Sequence, residues 1–71
     1  MKKTYQYHKP GEESLAKIKR LREAFSALHD LIEDLAPQSR ERSVALTELE
    51  TSAMWAIKAV VVNDPESVVE P

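Results

Sequence analysis

Seventy-one residues without a cysteine allow at most one small domain and exclude both a disulfide framework and a thiolate zinc site. Ten basic against twelve acidic residues leave a net charge of −2 with both signs interspersed, which disfavours coating of a DNA or RNA polymer. No apolar run approaches the length needed to span a bilayer, and the N-terminal MKKTYQYHK lacks the apolar centre of a signal peptide, so the expectation is a soluble protein off the membrane.

Residues 1–11 mix polar, basic and aromatic side chains and close on Pro10-Gly11, a turn dipeptide, so they read as an extended arm. Glu12 and Glu13 then put two acids in a first helical turn, where they complement the dipole. From Leu15 to Leu35 the apolar positions recur at helical spacing, with Ile18, Phe25 and Ile32 in one heptad row and Leu21, Leu28 and Leu35 in a second. Ala24 and Leu31 widen the stripe, which predicts more than one neighbour for this helix.

Pro37 ends the first helix, and Ser39 is the expected N-cap of the second, whose row runs Leu46, Leu49, Ala53, Ala56, Val60. A connection of only a few residues around 36–38 makes the two helices antiparallel neighbours. Asn63-Asp64-Pro65 breaks the second helix, and 66–71 lacks periodicity, so a frayed tail is expected. Val44, Met54, Trp55, Ile57 and Val61 fall outside the row and cover much of the remaining circumference of helix 2, which two helices cannot bury for each other. The fold class is therefore all-α: an antiparallel helical hairpin (12–62) with a short N-terminal arm (1–11) and a flexible tail (63–71), assembled into a homo-oligomeric helical bundle.

Catalytic chemistry is thin. A single glycine rules out a glycine-rich phosphate loop, neither a GxSxG nor a zincin motif occurs, and His8 and His29 are too far apart in sequence for a helical metal pair. The residues read as non-enzymatic, with no cofactor and no metal, and both histidines read as ordinary polar residues. Features suited to a ligand are the arm tyrosines Tyr5 and Tyr7, which offer faces for a base, and the basic set Lys17, Lys19, Arg20 and Arg22.

The segment SRERSVALTELETSAMWA, 39–56, opens a helix with Arg40 and Arg42, where backbone N–H groups and the dipole already make a positive site. A phosphate held there would also meet the hydroxyls of Ser39 and Ser43. The alternative is that both arginines point into water or pair with nearby acids. Arg22, at i+4 from Ile18 and i−3 from Phe25, either snorkels to solvent or projects into a cleft between subunits.

Together SRERSVALTELETSAMWA and the preceding IKRLREAFSALHDLIEDLAP, 18–37, resemble the small helical anti-CBASS proteins of bacteriophages, sponges for cyclic oligonucleotide signals, with the resemblance running over about 7–62. Tyr7, Glu12-Glu13 and Arg22 occupy the family's pattern of an arm tyrosine, an acidic pair and a basic residue fifteen positions beyond the tyrosine. The resemblance implies that Tyr7 stacks on a base and that Arg22, where the family usually has lysine, contacts a phosphate of a cyclic dinucleotide such as cyclic GMP-AMP. It further implies a homohexamer, separate cyclic trinucleotide pockets in many members, sequestration without cleavage, and a site of action in the cytoplasm of the infected bacterium. Arg40, Ser43, Thr47 and Lys58 are the trinucleotide or phosphate candidates on helix 2, although Val62 stands where a hydroxyl would be expected. The competing class is a small helical homo-oligomeric module that grips a protein through Met54 and Trp55 and binds no nucleotide.

Overall fold

The computed structural model describes residues 8–9, 11–64 and 68–69, in the order β1 (His8–Lys9), α1 (Glu12–Leu35), α2 (Arg40–Val62) and β2 (Val68–Val69). The two long helices form an antiparallel hairpin, so the all-α reading holds. Among the described residues no helix is long and apolar enough to cross a membrane.

Each helix end follows from local chemistry. Gly11 is the extended N-cap of α1, its carbonyl accepting the Leu15 N–H at 3.0 Å, with Glu12 and Glu13 in the first turn. At the other end the Ala36 N–H closes on the Ile32 carbonyl at 2.9 Å, one residue before Pro37. Ser39 caps α2 as its sequence position predicts: its hydroxyl oxygen accepts the Arg42 N–H at 3.1 Å and its hydroxyl donates to the Pro37 carbonyl at 2.9 Å. Ser39→Ala should therefore cost about 1 kcal/mol, read as a lower urea midpoint at unchanged slope. An unchanged midpoint would mean that the turn, not the cap, sets the start of α2.

The seam between the helices takes one stripe from each. On α1 it comprises Ser14, Ile18, Leu21, Phe25, His29 and Ile32; on α2 it follows the expected Leu46, Leu49, Ala53, Ala56 and Val60. Only Ile18 and Ser14 are buried among the described residues, and no side chain there is fully enclosed. Leu28 and Leu35 of the second expected row turn out of the seam, 44% and 71% exposed, because one partner helix covers one stripe and that row lies beyond its edge. The shortest dimension is 13 Å, and among the described residues the two helices form a single layer with no third helix over the seam.

At the open end of the hairpin the chain enters and leaves side by side. Asp64, two residues past α2, accepts the Gly11 N–H on Oδ2 at 2.9 Å, so an acid from the far end of the sequence caps a helix whose own N-cap residue has no side chain. Beyond it, β2 pairs antiparallel with β1 in the register His8↔Val69 and Lys9↔Val68. Where absent periodicity suggests only fraying, positions 68–69 thus carry a backbone partner; two adjacent valines favour extended chain without any helical signal. The rest of the arm and tail lies outside the described residues.

Candidate ligand surfaces

The basic residues of α1 divide between the two flanks of the seam. Lys17 and Arg20 border an open groove of roughly 410 Å³ with Leu21, Ala24 and Val60, a volume in the range of about 300–1,000 Å³ usual for ligand sites but walled on few sides in one chain. Lys17 also pairs with Glu13 at 3.4 Å, an exposed contact of small energetic weight. The exposed Ala24, Leu28, Leu31 and Leu35 continue that flank by helical spacing.

Arg22 lies on the opposite flank, one turn from Ser26, which with Phe25, His29, Leu49, Glu50 and Ala53 lines a second groove. Its side chain is exposed and, among the described residues, pairs with no carboxylate. Tyr7, the residue coupled with it by resemblance, lies outside the described residues but immediately precedes β1.

Of the two arginines opening α2, Arg42 is engaged within the hairpin. Its guanidinium lies 3.6 Å from Glu33 Oε2 and donates to the Ala36 carbonyl at 3.4 Å, tying α2 to the C-terminal end of α1. Of the two alternatives for this arginine, the structure shows pairing with an acid: it sits on the seam side, beside Glu33. Arg40 is exposed, on the outward face.

Helical spacing places Arg40, Ser43, Thr47 and Lys58 together on that outward face, turned away from α1 and interleaved with Val44, Thr51, Met54 and Trp55. They do not form one cluster. At about 1.5 Å per residue Arg40 and Lys58 are about 27 Å apart along the axis, too far for one small ligand to touch both in one chain. The Ser43 hydroxyl donates to the Ser39 carbonyl at 3.2 Å, and Thr51 does the same to Thr47 at 3.1 Å, leaving their oxygens as acceptors toward the face.

Lys58 and Trp55 form a unit that reading the row pattern misses. Lys58 Nζ sits 5.1 Å above the Trp55 ring, and the indole is 61% exposed. An apolar count reads this tryptophan as material for burial; the i, i+3 pairing of indole and ammonium is the signal that it can serve a base and a phosphate together.

One group could in principle take a metal: His29, Asp30 and Glu33 bring a ligand atom each within 4.8 Å of one another. His29 Nδ1 faces Glu33 Oε1 at 3.2 Å while Arg42 faces the other Glu33 oxygen, so the carboxylate already has positive charge beside it. All three project from α1, Asp30 and Glu33 exposed and His29 half-buried at the seam.

The description of the Acb2/Tad1 hairpin domain matches residues 1–61, most of the chain. The chain belongs to the Acb2/Tad1 hairpin family. No curated protein and no solved structure gives a significant match. Acb2/Tad1 hairpins are anti-CBASS sponge domains, associated with binding cyclic oligonucleotides rather than with catalysis, and the matched segment includes Tyr7, Arg22, Arg40, Ser43, Thr47 and Lys58.

Proposed function

We propose that this chain is a phage immune-evasion protein that binds cyclic dinucleotides such as cyclic GMP-AMP and sequesters them uncleaved, starving host CBASS effectors in the cytoplasm of the infected bacterium. The observation that carries the reading is the family match over 1–61, supported by a scaffold that leaves Arg22 exposed beside a groove and joins Tyr7 directly to an anchored strand. Competition with effectors at low signal requires nanomolar affinity, about −12 kcal/mol. Base stacking of roughly 1–3 kcal/mol per base and charge-assisted bonds of roughly 1.5–3 kcal/mol each reach that figure for a rigid ligand in a preformed cleft.

The grooves are open in one chain, so enclosure comes from a second copy, and a homohexamer supplies the clefts by symmetry. Arginine at position 22 offers a fork to a phosphate in place of the point charge of lysine. On the outward face of α2, a cyclic trinucleotide pocket using both Arg40, Ser43, Thr47 and the Lys58–Trp55 unit needs ends of α2 from different copies.

Tyr7→Ala and Arg22→Ala should each weaken cyclic GMP-AMP binding at least about tenfold, about 1.4 kcal/mol, in calorimetric titrations, with the oligomer mass unchanged. Unchanged affinity in both variants would remove these residues from the site. The competing interaction-module reading draws on Met54, 68% exposed, and Trp55. It would be favoured if both stay exposed in the assembled protein and no cyclic nucleotide produces heat.

A further inference from the structure

Two observations converge on the open end of the hairpin. Pro10 biases the preceding Lys9 toward extended backbone, and β1 leads through it directly into the Gly11 cap of α1. On the other strand, Asp64 is fixed by accepting the Gly11 N–H, and Val68–Val69 then runs back along His8–Lys9. The carboxylate at the N-terminus of α1 is also where the dipole favours negative charge. β1 lies against α2 as well as β2, so two other elements bear on the two residues that follow Tyr7.

The family match stops at residue 61, so Asp64 and β2 lie outside the segment that carries the binding reading. A two-stranded pair is marginal alone in water. Here the Gly11–Asp64 bond joins the chain close to both strands, so pairing them closes only a short further loop.

We propose that the segment after α2 is a positioning device for the ligand site: Asp64 and β2 hold β1, and through it set the direction in which Tyr7 leaves the hairpin. The inference rests on the reading of Tyr7 as a base-stacking residue. An arm restrained before binding loses less conformational entropy when the ligand arrives, and the gain appears as affinity without any contact between tail and ligand.

The test uses the full chain, the chain lacking 65–71, and Asp64→Ala, each titrated with cyclic GMP-AMP with and without Tyr7→Ala. Loss of the tail should weaken binding about tenfold, about 1.4 kcal/mol, when Tyr7 is present and leave affinity unchanged in the Tyr7→Ala background. A merely structural role would weaken both backgrounds alike.

Because the chain has no cysteine, His8→Cys with Val69→Cys provides a second handle at directly opposed positions, whose Cα separation of about 4.5–5.5 Å in an antiparallel pair suits a disulfide. Oxidised, this variant should bind at least as tightly as the full chain, and the disulfide should also hold affinity when Asp64→Ala is added. Tight binding by the full chain that survives removal of the tail overturns the inference alone. Absence of binding by the full chain overturns the ligand reading and the inference with it. An equal loss in both Tyr7 backgrounds leaves the ligand reading intact and reduces the tail to a stabilising element.

Discussion

Ile18→Ala is expected to lower the stability of the hairpin by about 2–4 kcal/mol, the largest effect of any single truncation. Ile18 is 5% exposed and is the only buried large apolar residue among those described, whereas Leu21, Phe25 and Ile32 share the seam half-covered. Deleting it removes its transfer energy and leaves a gap between two rigid helices that cannot close without shifting register. A chain of this size has little stability in reserve, so the variant should melt near ambient temperature. Urea denaturation followed by helical circular dichroism, at one fixed protein concentration, reads the change. A loss below about 1 kcal/mol, less than Ile→Ala costs in a packed core, would mean that Ile18 is not packed in the seam.

Dilution should abolish the fold rather than yield a folded monomer. In a single chain Leu28, Leu31, Leu35, Val44, Met54 and Trp55 are each at least 44% exposed, and among the described residues the two helices form a single layer. Large apolar side chains exposed on both helices are what associating proteins cover. The seam buries too little to offset the ordering of two long helices, so helicity and mass should fall together as concentration drops. Sedimentation with parallel circular dichroism checks this. A full helical signal at a mass of 8.1 kDa and micromolar concentration would contradict it.

The hairpin is legible because its signals are local and repeated. Ser39 lies at a cap position before a periodic run, Pro37 stops the first helix, and the seam rows recur over several turns. What periodicity does not resolve is which neighbour a residue faces: Leu28 and Leu35 share a heptad row with Leu21, although the partner helix within the chain does not cover them. The site is less legible for a different reason. Helical spacing puts Arg40, Ser43, Thr47 and Lys58 on one face but is blind to distance along the axis, which separates Arg40 from Lys58.

Charge at a helix start likewise does not identify its partner. Arg42 belongs to Glu33 and Ala36 across the turn, a contact between residues nine and six positions away that no motif encodes. The Gly11–Asp64 link spans 53 positions and leaves only an unremarkable Asn-Asp-Pro in the sequence.

Titration of the purified full chain with cyclic GMP-AMP, followed by denaturation and chromatography of the released ligand, tests the central claim directly. Sequestration by sites shared between two chains predicts tight binding near one ligand per two chains and recovery of the intact cyclic dinucleotide. No heat with cyclic di- or trinucleotides, or recovery of a linear product, would contradict it.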